Sequence, residues 1–175
     1  MKKINIVILF IIMSAGIQAQ DSKMNAFIND LMNQMTTDEK IGQLNLLNQG
    51  VITGSQINTD VVTKIEQGKV GGLFGLFSPA VLRKNQKIAV EKSRLHIPLF
   101  FGLDIIHGYR TIFPIPLGLS CTWDLDLIEK SARIAASEAT ADGLNIAFSP
   151  MVDISRDPRW GRIAEDRVKI HIWVP

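Results

Sequence analysis

The densest group of chemically versatile side chains lies in the run Arg-Asp-Pro-Arg-Trp-Gly-Arg at positions 156–162. Three guanidiniums, one carboxylate and one indole fall within these seven residues. An indole offers a flat apolar face of the kind that stacks on a sugar ring, while carboxylates and guanidiniums form directional hydrogen bonds with hydroxyls. The alternative interpretation is a structural loop in which Arg156 pairs with Asp157 or Asp153, and both interpretations can hold together.

Two further candidates, Asp104 and His107, stand at the end of the apolar run that begins at Pro98. A carboxylate there is costly to bury unless it is paired or binds a ligand. Asp104 is therefore either a ligand-binding group or an aspartate hydrogen-bonded to the next loop. His107 alone is more typical of a structural histidine than of a catalyst. His96 and His171 have no partners at metal-ligand spacing, so the sequence predicts no metal site.

The elements around these residues alternate between strands and helices. Short apolar runs at 70–77, 98–106 and 144–149 predict buried strands. Between them, Ser78-Pro79 predicts a helix start and a helix to about Arg94, and Asp124 predicts the N-cap of a helix over 125–142. On that last helix we expect Leu127, Ile128, Ala132, Ala135 and Ala136 to face inward.

The N-terminal part of the mature chain is predicted to be helical. An apolar stripe over 25–35 indicates a first helix. The Thr-x-x-Glu spacing at 36–39 is that of a capping box and predicts a second helix continuing to Leu47. A third helix is expected over 58–67.

Continuous apolar strands that alternate with helices are typical of parallel βαβ units, so the predicted fold class is α/β. Such units fit either a doubly wound sheet or a (β/α)8 barrel. No Gly-x-Gly-x-x-Gly follows a strand, which disfavours a dinucleotide-binding fold. In a barrel, functional groups lie at the carboxyl ends of the strands. The candidates that fall at such ends are Asp104, His107, Asp153, Arg156 and Asp157.

The first nineteen residues predict a secretory signal peptide. Lys2 and Lys3 precede an apolar run over 4–13, and small residues follow up to Ala19. The apolar run is far shorter than the roughly 20 residues of a membrane span. We therefore expect a periplasmic or secreted protein with no membrane span after signal removal.

Composition narrows the function classes further. The chain is 46% hydrophobic and 21% charged, as expected of a globular protein. Without Lys2 and Lys3 its 19 basic residues become 17, equal to its 17 acidic residues. This balance disfavours a nucleic-acid partner. Cys121, the single cysteine, excludes an internal disulfide.

Four motifs in order resemble glycoside hydrolase family 3, in particular its exported bacterial β-glucosidases and β-xylosidases. They are Leu-Asp-Ile-Ile-His-Gly at 103–108, Phe-Pro-Ile-Pro-Leu-Gly-Leu-Ser at 113–120, Thr-Trp-Asp at 122–124 and the run from Phe148 to Arg162. The resemblance covers about residues 25 to 165. It implies that the chain is the N-terminal part of a (β/α)8 TIM-like barrel, which is incomplete in this chain. Proteins of the family also have a second domain, an α/β sandwich.

The resemblance also implies site residues. Asp104 would bind hydroxyls of the sugar in the −1 subsite, and Arg162 would reach the same sugar. His107 would brace the surrounding loop, and Arg156, Asp157 and Trp160 would shape it. The implied partner is a β-linked oligosaccharide or glycoside, and no cofactor is implied.

The implied activity is retaining hydrolysis of terminal non-reducing β-D-glycosyl residues, which needs two carboxyls roughly 5–5.5 Å apart. The family's nucleophilic Asp lies late in the barrel, and its acid/base Glu usually comes from the second domain. Neither segment is in the sequence, nor is the expected Lys-His pair, so we expect a fragment that is inactive alone. The alternatives are a non-catalytic sugar-binding truncated barrel and a different enzyme whose site is complete within the 175 residues.

The last ten residues depart from the family pattern. After Glu165 the family continues with a segment like Gly-x-Gly-Glu-Asp-Pro-Tyr-Leu. One permitted choice of codons for the residues from Glu165 onward encodes that family segment when one inserted base shifts the reading frame. We therefore expect a signal peptide at 1–19, a partial barrel domain at 20–165 and an out-of-frame tail at 166–175.

Overall fold

A computed structural model describes residues 22–49, 60–153 and 156–165 of the chain. The residues fall into two compact units, 1–40 and 41–175, which are described separately. The predicted signal peptide and the predicted tail lie outside the described residues. Among the helices that are described, none is long and apolar enough to cross a membrane.

The first unit contains helix α1, residues 22–34, and the start of α2, Thr37–Gln43. The predicted capping box is confirmed at this start. The backbone N–H and the hydroxyl of Thr36 donate to Oε2 of Glu39 at 2.9 and 3.0 Å. The Glu39 N–H donates in return to Thr36 Oγ1 at 3.2 Å, so two backbone donors at the helix start are satisfied reciprocally.

The second unit is built on a four-stranded parallel sheet in the order β1-β2-β3-β4. Its strands are Leu46–Asn48, Gly72–Phe74, Phe100–Leu103 and Ile146–Ala147. The helices of this unit are α3 (Val61–Glu66), α4 (Pro79–Lys92), α5 (Pro116–Ser120) and α6 (Leu125–Ala141), followed by the 3-10 helix η1 (Ile163–Glu165). Sequential parallel strands joined through helices confirm the predicted α/β class and match the start of a barrel.

The first strand corrects a prediction. The sequence pattern continued the second helix to Leu47, but the helix ends at Gln43 and Leu46–Asn48 pairs with β2. The N–H groups of Gly71 and Gly72 both donate to the carbonyl of Asn45, at 3.0 and 3.1 Å. These bonds to a distant segment replace the helical ones, since tertiary context overrides local propensity. The described residues thus contain four strands rather than three.

Fewer of the residues predicted to face inward on helix α6 are buried in the structure than the sequence pattern indicates. Asp124 caps it as expected, accepting from the Leu127 N–H at 2.9 Å. Of the residues expected inside, Ile128 and Ala135 are buried, whereas Leu127, Ala132 and Ala136 are exposed. The helix packs through a single stripe, because Ala132 and Ala136 face an open cleft beside β4. The stripe consists of Ile128, Ser131, Ala135 and Ala139.

The core lies between the sheet and these helices. Leu73 on β2 is completely buried, and Val61 and Ile65 of α3 are nearly so. Phe101 and Leu103 of β3 join the same cluster. Alternate residues of a strand point to opposite faces of the sheet. The side chains on one face, such as Leu73, Phe101 and Leu103, pack in this core.

Candidate functional site

A pocket of about 450 Å³ opens at the carboxyl ends of the four strands. Parallel strands bring these ends to one edge of the sheet, which is where functional groups gather in barrels. Asp104 follows β3 directly, while Arg162 arrives from the loop before η1. The pocket is lined by Leu46, Asn48, Phe74, Asp104, Ile106, Phe148, Met151 and Arg162.

One wall of the pocket is aromatic. The rings of Phe74 and Phe148 meet edge to face, with centroids 5.5 Å apart and an interplanar angle of 71°. Phe148 rests over Gly102 of β3, where an added Cβ would come within 2.7 Å of the ring atom Cε2. The missing side chain at Gly102 therefore makes room for the aromatic wall.

Asp104 carries the pocket's carboxylate. Partial desolvation raises the pKa of Asp104, and the negative charge of Glu165 raises it further. The guanidinium of Arg162 lowers the same pKa, but it does not outweigh the other two effects. The carboxyl thus sits among groups of both signs, and its protonation responds to each of them.

Arg162 is held by a carboxylate on its own turn. Its Nε donates to Oε2 of Glu165 at 3.0 Å, and its Nη2 donates to the same oxygen. This hydrogen bond is the main reason that the pKa of Arg162 is raised, and the charges of Glu165, Asp104 and Asp153 add to it. Arg162 therefore interacts with three carboxylates, one of them through hydrogen bonds.

The loop residues predicted to shape the site precede Arg162 in the chain and are not among the residues that line the pocket. Asp157 accepts from the backbone N–H and from Nε of Arg159, both at 2.9 Å. This pairing lowers the pKa of Asp157. Trp160 is 37% exposed, and its backbone N–H donates to the Asp157 carbonyl at 3.1 Å. Arg156 is exposed. The three remain predicted site-shaping residues.

His107 lies in a neighbouring cleft of about 230 Å³ between the β3–α5 loop and α6. Its carbonyl accepts from the Phe113 N–H at 2.7 Å, which closes a tight loop. Ile106, the preceding residue, lines both this cleft and the pocket. The structure thus gathers Asp104 and Arg162 in one pocket and places His107 one residue beyond its edge.

Sequence reasoning missed part of the pocket. Asn48 went unnoticed because the residues just before it, up to Leu47, were predicted as helix, so no strand end was expected there. Phe74 and Phe148 were placed in buried strands by their apolar neighbours, and nothing local showed that their rings would meet. Phe148 and Met151 do fall in the motif 148–162, which was the available signal.

Sequential parallel βα units with a polar pocket at the carboxyl ends of the strands are the architecture of a (β/α)-barrel domain. The sequence model of the glycosyl hydrolase family 3 N-terminal domain matches residues 36–167. The chain belongs to this family.

Individual relatives agree with the family. The chain is 45% identical over 141 residues to a periplasmic β-glucosidase of Salmonella typhimurium, covering 81% of this chain and 18% of that protein. The β-glucosidase of Listeria innocua in complex with isofagomine superposes with a TM-score of 0.73 at 40% identity, covering 82% of this chain and 20% of that one. The same enzyme in complex with glucose gives a TM-score of 0.70 at 37% identity, with 82% and 21% covered. The chain spans about a fifth of the length of these relatives.

Proposed function

We propose that the chain supplies part of the −1 sugar subsite of an exported β-glucosidase-like retaining hydrolase. The observation that carries this proposal is that Asp104 and Arg162, from distant parts of the chain, line one pocket at the strand ends. The Salmonella relative is a β-glucosidase, and the Listeria enzyme was solved with glucose. The proposed substrates are therefore β-linked oligosaccharides or glycosides with a terminal glucose.

The proposed roles follow from the side-chain chemistry. The Asp104 carboxylate only accepts hydrogen bonds when ionised, so it suits two neighbouring sugar hydroxyls. Arg162 is a donor of fixed geometry and suits a sugar oxygen. The aromatic pair of Phe74 and Phe148 offers an apolar surface to the C–H groups of the ring. The sugar would thus lie between a polar and an apolar wall.

The loop around Arg162 is proposed to keep the subsite in shape. Arg156, Asp157 and Trp160 belong to this loop, and the Asp157–Arg159 pair ties its first half together. His107 would brace the β3–α5 loop from the adjacent cleft. These residues would alter sugar affinity indirectly, through the position of Asp104 and Arg162.

The proposal separates binding from catalysis. A retaining reaction needs a nucleophile and an acid/base, roughly 5–5.5 Å apart. Asp104 is assigned to binding, so we place both catalytic groups outside residues 1–175. The chain alone would bind sugar without hydrolysing a glycoside. We also propose that the protein is exported, which the periplasmic location in the Salmonella relative's name supports. The proposed segments are a signal peptide at 1–19, a partial barrel domain at 20–165 and an out-of-frame tail at 166–175.

A calorimetric titration of the purified chain with glucose tests the proposal. We expect saturable binding that Asp104→Asn weakens by about tenfold or more, since a charged hydrogen bond to a sugar hydroxyl is lost. Asp126→Asn, an exposed carboxylate at the start of α6, is the matched control. Equal affinity for glucose in wild type and Asp104→Asn would overturn the assignment. Hydrolysis of p-nitrophenyl β-glucoside by the purified chain would overturn the separation of binding from catalysis.

A further inference from the structure

Glu165, the last residue of η1, accepts hydrogen bonds from Arg162, which lines the pocket together with Asp104. We infer that Glu165 is a positioning residue of the sugar pocket, which orients the Arg162 guanidinium and places a second negative charge near Asp104. The inference rests on the proposed function, because it concerns the same subsite. It gives a role to Glu165, which is not among the site residues assigned above.

The orienting role follows from the hydrogen bonds. Two N–H groups of Arg162, on Nε and Nη2, point at the single oxygen Oε2 of Glu165. A guanidinium has five N–H donors in a rigid plane, so directing two of them sets the direction of the other three. Glu165 thereby decides which donors Arg162 presents to a sugar.

The backbone holds Glu165 where this contact forms. Its N–H donates to the Arg162 carbonyl at 3.0 Å, and the Ile163 N–H donates to the Trp160 carbonyl at 3.1 Å. This turn lies against α5. The pair is therefore set by a local turn at the pocket edge, although both side chains remain partly exposed, at 58% and 36%.

The electrostatic role follows from the charges around the pocket. Glu165 raises the pKa of Asp104, whereas Arg162 lowers it. Arg162 in turn feels the carboxylates of Glu165, Asp104 and Asp153. Among the described residues, these are the charged groups whose charges shift the pKa of Asp104 or Arg162. Removal of the Glu165 charge would let Asp104 stay ionised to lower pH, and the acid limb of glucose binding would move with it.

Two substitutions separate the roles. Glu165→Gln keeps the side-chain length and an acceptor oxygen but removes the charge. Glu165→Asp keeps the charge but is one methylene shorter, so it holds Arg162 less well. Glu129→Gln is the matched control, because Glu129 accepts from Arg133 at 2.7 Å on the exposed face of α6, away from the pocket.

The experiment is a carboxyl-carbon NMR titration of the full chain with labelled aspartate, combined with glucose calorimetry across pH. Asp104→Asn assigns the Asp104 signal. With Glu165→Gln we expect the Asp104 titration and the acid limb of glucose binding to shift together to lower pH. With Glu165→Asp we expect an unchanged Asp104 titration and about threefold to tenfold weaker glucose binding at neutral pH, from a weakened charged hydrogen bond. Glu129→Gln should change neither.

An Asp104 titration that is the same in wild type and Glu165→Gln would overturn the inference. So would glucose binding that is unaffected by both Glu165 variants. The proposed function fails separately, if the wild-type chain binds no glucose or if Asp104→Asn binds it as well as wild type. In that case the NMR titration, which needs no ligand, still decides whether Glu165 acts on Asp104.

Discussion

The carboxylate of Glu138 on α6 accepts hydrogen bonds from both the hydroxyl and the backbone N–H of Thr111, at 2.6 and 2.8 Å. It also accepts from the backbone N–H of Arg110 at 3.0 Å. One turn further along, Asp142 accepts from the Tyr109 hydroxyl at 2.8 Å and from Nε of Arg110 at 3.0 Å. Two acidic side chains therefore clamp the β3–α5 loop, which begins at Asp104, onto the end of α6.

The clamp predicts a loss of stability in acid. Hydrogen bonds from Thr111 lower the pKa of Glu138, and the hydrogen bond from Tyr109 lowers that of Asp142. A depressed pKa in the folded state stabilises it above the unfolded values of about 4.3 and 3.9. This contribution disappears as the pH falls through the lower, folded values.

Urea unfolding at neutral pH and at a pH below the unfolded carboxyl values of about 4 measures this effect. Glu138→Gln should unfold at lower urea concentration at neutral pH and lose less stability on acidification than wild type. The matched control is Glu129→Gln, because Glu129 pairs with Arg133 on the exposed face of α6. A Glu138→Gln chain with the acid dependence of wild type would contradict the prediction.

Tyr109 predicts a late alkaline transition. Desolvation, the hydrogen bond to Asp142 and the Asp142 charge raise the pKa of Tyr109 to about 12. A raised pKa means that the stabilisation is present below the unfolded value of about 10 and is lost as the pH rises through the folded one. Tyr109 is the only tyrosine in the sequence, so phenolate absorbance reports it directly.

The folded chain should therefore ionise Tyr109 near pH 12, and the urea-unfolded chain about two units lower. Asp142→Asn should bring the folded value down toward the unfolded one, since the carboxylate that opposes ionisation is neutralised. A folded-state titration of phenolate absorbance at the unfolded value would show that the Tyr109–Asp142 bond is absent in solution.

A side chain at Gly108, in the same loop, is predicted to lower the free energy of unfolding. Its φ is +111°, and an added Cβ would lie 2.0 Å from the carbonyl oxygen of Thr111. Gly108→Ala should destabilise the fold by about 1–3 kcal/mol or more, because the left-handed conformation and the clash act together. Gly161→Ala is the control, with no atom within 4 Å of the added Cβ. Equal urea midpoints for the two variants would contradict the prediction.

Gly102 links the sheet to the pocket wall. A Cβ there would approach the Phe148 ring to 2.7 Å, and the ring, as a side chain, is able to move away. We expect Gly102→Ala to displace Phe148 from Phe74, weakening glucose binding by a few-fold while costing only about 1 kcal/mol of stability. Calorimetry and urea unfolding measure the two effects. Loss of stability without loss of glucose affinity would show that the aromatic wall does not contact the sugar.

The amino-acid sequence by itself determined the features that depend on neighbouring residues. The Thr36–Glu39 box, the Asp124 cap and Pro79 at the first position of α4 mark helix starts through bonds or dihedral angles spanning three or four residues. The apolar runs around β2, β3 and β4 determined the α/β class, because continuous apolar strands need cover on both faces.

Only the tertiary structure decided the rest. Leu46–Asn48 became a strand because β2 offered it hydrogen-bonding partners, not because of its own composition. Asp104 and Arg162 share a pocket, and Glu138 holds Thr111, through contacts between segments that are far apart in the chain. Such contacts depend on how the sheet and helices pack in space, and the patterns of neighbouring residues do not predict that packing.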